Sequence, residues 1–177
     1  MEGTVIDTVE KAFDVIKNYY VIFYDPPPLY SIKPAEFFEL EGKIFNLKKR
    51  IDDLNIIIVS LLETLNSIDF SDKKLIIEQV QKKQELAKSY QIKYKTIYDD
   101  YANNFSYYIQ VFKFYESKYY EGKSKKKKIL KIIVSIQELI RDNLFAFYNQ
   151  YSLLKKHYEE TNEYILKVKG ELKKYIK

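Results

Sequence analysis

Apolar residues recur at alternating spacings of three and four along much of the chain, the pattern of an amphipathic helix that packs along a narrow seam. The clearest stripe has no interruption, and its members are Phe37, Leu40, Ile44, Leu47, Ile51, Leu54, Ile58, Leu61, Leu65 and Ile68. A heptad repeat of this length predicts a coiled-coil-like seam. Glu36, Glu39 and Glu41 near its start suit the positive end of a helix dipole.

Breaker residues divide the pattern into four predicted helices. The three consecutive prolines 26–28 end the first, because proline cannot continue a helix and restricts the residue before it. Pro34 suits the first position of the second helix, and Gly122 is a candidate C-terminal cap of the third. The predicted helices span residues 4–24, 34–69, 72–120 and 125–177.

These elements predict an all-α fold, an elongated antiparallel helical bundle of four helices, one short and three long, with heptad packing. The short turn near residues 69–72 favours antiparallel neighbours. One domain over residues 1–177 is expected. At 1.5 Å per residue the last two helices would be roughly 73 and 80 Å long, so the short first helix cannot cover them. The uncovered part predicts a partner, which is another subunit, a membrane or a ligand.

The residue inventory argues against catalysis. The chain has no cysteine and one histidine, His157, so a catalytic triad would depend on that single imidazole. A di-iron bundle needs two Glu-x-x-His motifs, and the glycines form no phosphate-binding loop. The sequence therefore predicts a protein that is not an enzyme, without a cofactor, metal or small-molecule substrate.

No basic segment followed by an apolar run begins the chain, and the most apolar stretch, residues 54–65, is too short to span a bilayer. We therefore expect a cytoplasmic or virion-associated location. The charge is uneven: residues 1–70 hold 7 basic and 12 acidic side chains, whereas residues 121–177 hold 14 and 7. The two ends could complement each other within one bundle or guide association between subunits.

A lysine cluster lies at the predicted start of the last helix. Its members are Lys123, Lys125, Lys126, Lys127, Lys128 and Lys131. Positive charge there opposes the helix dipole. One interpretation is a solvated loop; the other is an anion site for the phosphates of nucleic acid or anionic lipid. Because the chain has only two arginines, nucleic-acid binding would be backbone-directed, nonspecific and sensitive to salt.

Tyrosine is concentrated in the third predicted helix, which holds nine of the 18 tyrosines between positions 90 and 120. The rings could fill a wide seam, form a protein interface, or stack on bases. The candidate interface residues are Tyr94, Tyr101, Tyr107, Tyr108, Tyr115, Tyr119 and Tyr120.

The linker over residues 25–33 contains the sequence Pro27-Pro28-Leu29-Tyr30. This PPxY pattern resembles the ligands of WW domains, which hold a polyproline II segment on aromatic grooves, and the late-budding motifs of some enveloped viruses. The resemblance covers four residues. The alternative interpretation is a rigid linker between two helices.

The sequence as a whole predicts a structural or assembly protein that self-associates, or docks a protein partner, through long tyrosine-rich helices. A small viral or virion-associated subunit fits this composition. Two alternatives use other features: nonspecific nucleic-acid binding through the lysine cluster, and membrane contact by a hairpin that opens to expose its apolar faces.

Overall fold

The computed structural model describes residues 34–122 and 126–175, and every regular element within these ranges is an α-helix. The all-α prediction is confirmed, and three long helices pack against one another. The helices are α1 (Pro34–Ser67), α2 (Lys73–Glu121) and α3 (Lys126–Leu172). The predicted helix over residues 4–24 lies outside the described residues.

Local sequence signals account for the start of α1 and the end of α2. Pro34 is the first residue of α1, as its preset backbone angle suggests. Gly122 follows α2 with φ of 72°, the left-handed conformation of a C-terminal cap that other residues adopt only with strain. The helix α3 ends at Leu172, earlier than predicted, where the amide of Lys173 donates to the Gly170 carbonyl at 3.3 Å.

Contacts divide the chain into two compact units, each containing parts of all three helices. The described residues of the first unit are 34–42, 98–122 and 126–149, and those of the second unit are 43–97 and 150–175. The single domain expected over residues 1–177 stays a prediction.

In the second unit, polar contacts show how neighbouring helices run. The Asn55 amide on α1 donates to the Ala87 carbonyl on α2 at 3.2 Å, and the Gln91 amide on α2 donates to Asp52 on α1 at 2.9 Å. Because positions rise on one helix as they fall on the other, α1 and α2 are antiparallel. The phenol of Tyr164 on α3 donates to Gln79 on α2 at 2.8 Å.

The stripe on α1 is buried throughout its described length up to Leu65. Relative exposure is 5% or less at each of Leu40, Ile44, Leu47, Ile51, Leu54, Ile58, Leu61 and Leu65. Burying one such side chain stabilises a fold by roughly 1.5–3 kcal/mol, so this seam is a main source of stability.

The core of the first unit is mostly aromatic on α2 and aliphatic on α3. Its fully buried side chains include Phe105, Phe112 and Ile133. The rings of Tyr101 and Phe147 stack with their centroids 4.2 Å apart. The Asn143 side-chain amide on α3 donates to the Tyr101 carbonyl on α2 at 3.3 Å, so these two positions lie side by side.

Candidate interaction surfaces

The candidate interface tyrosines differ widely in exposure. Tyr94 and Tyr101 are buried in the chain's own core, with 7% and 3% of their surface accessible. Tyr108, Tyr115 and Tyr119 are half-buried. Tyr107 and Tyr120 are exposed, at 62% and 55%. Only the exposed and half-buried rings are available to a partner in this conformation.

A second exposed aromatic residue, Phe114, shares a face with Tyr107 on α2 of the first unit. Phe114 is 56% exposed and follows Tyr107 by seven residues, which is two helical turns. The ammonium of Lys118 lies 5.5 Å from the centre of the Phe114 ring. We name Tyr107, Gln110, Phe114 and Lys118 the α2 outer face. Phe114 is not among the interface residues predicted from the sequence, although its seven-residue spacing from Tyr107 was a signal that could have identified it.

The lysine cluster is exposed wherever the structure describes it. Lys126, Lys127, Lys128 and Lys131 are all accessible, whereas Lys123 and Lys125 lie outside the described residues. The Lys126 ammonium is 5.3 Å from the centre of the Tyr119 ring. The Tyr119 and Tyr120 rings meet edge to face with their centroids 5.7 Å apart. The end of α2 and the start of α3 therefore combine ammonium groups with aromatic rings.

Two buried tyrosines differ in whether their hydroxyls are satisfied. In the second unit, Tyr90 lies 2.7 Å from the Thr161 hydroxyl and 3.2 Å from the His157 carbonyl. In the first unit, the Tyr101 hydroxyl is buried and has no hydrogen-bond partner within the described part of the chain. A buried hydroxyl that has lost water without gaining a partner destabilises a fold.

These two environments predict opposite effects for the same substitution. We expect Tyr90→Phe to lower the free energy of unfolding by roughly 1–3 kcal/mol, because it leaves buried Thr161 without its partner. Tyr101→Phe should raise that free energy by roughly 1–2 kcal/mol, because it removes an unsatisfied hydroxyl. Urea denaturation followed by circular dichroism measures both. The same sign of change in both variants would contradict the described hydroxyl environments.

The most unusual charged group is Glu41, which the sequence suggested as a partner of the helix dipole. Its side chain is 2% exposed, and neither carboxyl oxygen has a hydrogen-bond partner within the described residues. Burial raises the pKa of Glu41 from 4.5 to about 7. Burial and the charges of Glu41 and Tyr98 raise the pKa of Tyr101 far above its usual range. The Glu41 carboxyl is thus half-protonated near neutral pH.

Open grooves flank α1 in the second unit. One is lined by Asp52, Asn55, Ile56, Val59, Ser60, Glu63 and Gln91, and another by Ile56, Ile57, Ser60, Leu61, Thr64, Lys169 and Leu172. Ile56 belongs to both and is 67% exposed. Asp52 and Glu63 both line the first groove, so its lining carries two carboxylates.

The remaining sequence features give no assembled site within the described residues. No group of three His, Cys, Asp or Glu side chains there could hold a metal ion, and no helix there is long and apolar enough to cross a membrane. His157 is half-buried, and its backbone carbonyl accepts the bond from Tyr90. The residues Pro27, Pro28, Leu29 and Tyr30 lie outside the described ranges.

Comparison of the chain with protein-family models, with curated proteins and with solved structures found no match.

Proposed function

We propose that this chain is a non-enzymatic assembly protein that self-associates through the α2 outer face. The observation that carries the proposal is the exposure of Tyr107 and Phe114, at 62% and 56%, on one face of a helix whose other face is buried. Aromatic residues are enriched at protein interfaces and among the residues that dominate their binding energy. Burying both rings against a partner removes a large apolar area from water.

A second copy of the same face is a complementary partner. If two α2 helices align antiparallel about the midpoint between Gln110 and Val111, Tyr107 of each copy lies opposite Phe114 of the other. The same alignment places Lys118 opposite Asn103 and Glu121 opposite Asp100, so Lys118 lies between two carboxylates: its own Glu121 at 3.7 Å and, one turn away, Asp100 of the other copy. Such a two-fold arrangement closes on itself and uses one patch twice.

The exposed apolar face of α1 in the second unit fits a second copy less well. An antiparallel pair of α1 helices centred between Ile56 and Val59 would set Asp52 of one copy opposite Glu63 of the other. Like charges in an interface oppose association. The large exposed side chains at the centre of this α1 face, Ile56 and Val59, are also aliphatic, whereas those of the α2 outer face are aromatic, the type enriched at protein interfaces.

Size-exclusion chromatography with light scattering tests the proposal by comparing the mass of the wild-type chain with that of a variant that lacks the Tyr107 and Phe114 rings. The wild-type chain should elute with a mass of at least twice 21.3 kDa by light scattering, and Tyr107→Ala/Phe114→Ala should return it to 21.3 kDa. The matched control is Ile56→Ala/Ile92→Ala, which removes side chains that are 67% and 70% exposed in the second unit. The control should keep the wild-type mass; equal dissociation of both variants would refute the surface assignment.

Two finer features of the fold are also proposals. We propose that the α1 stripe packs as a coiled-coil seam, which is supported by the burial of all its positions from Leu40 to Leu65. We also propose a short fourth helix over residues 4–24, on the evidence of its sequence pattern alone.

A further inference from the structure

The end of α2 and the start of α3 form a second surface, which self-association through the α2 outer face does not use. We name Tyr119, Tyr120, Lys126, Lys127, Lys128 and Lys131 the lysine–tyrosine surface. Tyr120 is 55% exposed, and the four lysines are all exposed. The surface is built by two helices of the first unit and is held by the contact of Lys126 with the Tyr119 ring.

The charge of this region is strongly positive. Between positions 111 and 131 the described residues hold six lysines, at 113, 118, 126, 127, 128 and 131, and two glutamates, at 116 and 121. One glutamate, Glu121, already lies 3.7 Å from the ammonium of Lys118. Lysines in the first turn of α3 repel each other and the positive end of the helix dipole. An external anion would relieve both repulsions.

Phosphate groups of nucleic acid and of lipid could both supply that anion, but the rings distinguish them. Binding of single-stranded nucleic acid relies on bases that stack on open ring faces. Here the Lys126 ammonium covers one face of Tyr119, and the edge-to-face packing of Tyr119 with Tyr120 ties the two rings together. Lysines around an exposed tyrosine instead match a membrane interface, where ammonium groups meet headgroup phosphates and the ring lies among the headgroups.

We propose that the lysine–tyrosine surface binds the headgroups of anionic phospholipids, so that the first unit rests on the membrane surface. Lys127, Lys128 and Lys131 contact phosphate and carboxylate groups of the lipids. The Tyr120 ring enters the interfacial layer of the membrane. The contact of Lys126 with the Tyr119 ring holds Tyr119 beside Tyr120. Binding requires no opening of the helices, because the groups involved are already accessible.

Co-sedimentation of the full chain with vesicles tests this proposal. The probes are vesicles of phosphatidylcholine alone and vesicles containing 30% phosphatidylserine, at about 0.1 M and 0.5 M salt. We expect binding to the anionic vesicles at low salt, weak binding to the neutral ones, and loss of binding at high salt. Each lysine near an anionic surface strengthens binding about fivefold, so Lys126→Gln/Lys127→Gln/Lys128→Gln/Lys131→Gln should weaken it at least a hundredfold.

Two further variants distinguish this surface from general positive charge. The matched control Lys82→Gln/Lys88→Gln/Lys93→Gln/Lys95→Gln removes four exposed lysines from α2 in the second unit and should lose much less affinity. Tyr120→Ser leaves the charge unchanged and should weaken binding roughly tenfold, because the ring no longer enters the interface. Glutamine and lysine have similar helix propensities, so the lysine variants should keep the wild-type circular dichroism.

Two results of the vesicle assay would overturn the assignment of this surface to lipid headgroups. Absence of binding to anionic vesicles would overturn the proposal, as would equal loss of affinity in the two lysine variants. Binding of labelled single-stranded or duplex DNA with no binding to vesicles would assign the surface to nucleic acid. Repeating the vesicle assay with Tyr107→Ala/Phe114→Ala separates the two proposals: this variant should bind lipid whether or not the wild-type chain self-associates.

Discussion

Glu41→Gln should stabilise the protein by about 3 kcal/mol at pH 9 and change its stability little at pH 4. The wild-type carboxyl is buried without a hydrogen-bond partner within the described residues, so its charged form is unfavourable in the folded state. Burial raises its pKa from 4.5 to about 7, and a difference of one pH unit in pKa corresponds to about 1.4 kcal/mol. Glutamine has nearly the same shape and does not ionise.

The pH dependence has a definite sign. Between pH 4.5 and about 7 the folded protein keeps a proton on Glu41 that the unfolded chain has released. The contribution of Glu41 to the free energy of unfolding therefore falls as pH rises through this window and becomes constant above it. In Glu41→Gln this decline is absent, so the difference between variant and wild type grows with pH.

Urea denaturation followed by far-ultraviolet circular dichroism at pH 4, 6, 7.5 and 9 measures this difference. Glu63→Gln is the control, because Glu63 is an exposed glutamate on the same helix. The control should change stability by less than about 0.5 kcal/mol at every pH. A Glu41→Gln variant whose stability follows the wild-type curve in parallel would show that Glu41 does not titrate from a buried position.

Phe105→Ala should lower the free energy of unfolding by about 3–5 kcal/mol. The Phe105 ring is 1% exposed in the first unit, where it meets the Tyr101 ring at 5.6 Å between centroids. Its removal leaves a cavity that neighbouring aromatic side chains fill only partly, and it forfeits the apolar area that the ring buries. This is the largest loss that we expect from a single truncation in the aromatic core.

Phe114→Ala provides the matched comparison on the same helix. Because the Phe114 ring is 56% exposed, its truncation should change the stability of the dissociated chain by less than about 1 kcal/mol. Urea denaturation at low protein concentration measures both variants without a contribution from self-association. Similar losses in the two variants would mean that the core and outer faces of α2 are assigned wrongly.

Much of the helical framework could be predicted from local pattern alone. The stripe from Leu40 to Leu65 is buried because its spacing keeps one side of α1 apolar, and this property depends only on the order of residues. The end of α2 was also predictable, since Gly122 can adopt positive φ without strain. Such signals belong to single helices and need no knowledge of their neighbours.

The tyrosine repeat on α2 shows where periodicity alone fails. Tyr94, Tyr101, Tyr108 and Tyr115 recur every seven residues, but the first two are buried and the last two are half-buried. A straight helix drifts by about 20° per heptad relative to a repeat of seven, so later members rotate away from the core. Phe105 and Phe112 fill the positions that the tyrosines leave.

The buried and unsatisfied polar groups of Glu41 and Tyr101 could not be predicted from the sequence, because their environment depends on tertiary packing. A glutamate near a helix start is usually solvated, and nothing in the neighbouring residues indicates that other elements cover this one. For the same reason the sequence could not separate the satisfied Tyr90 hydroxyl from the unsatisfied Tyr101 hydroxyl, although both residues lie on the seam of α2.

Light scattering of the purified wild-type chain during size-exclusion chromatography tests the central claim, self-association through an aromatic face, most directly. The runs would cover a range of protein concentrations at about 0.1 M and 1 M salt. Because apolar contacts do not weaken with salt, we expect a mass of at least twice 21.3 kDa in both conditions. A mass of 21.3 kDa at every concentration in both salts would contradict the claim.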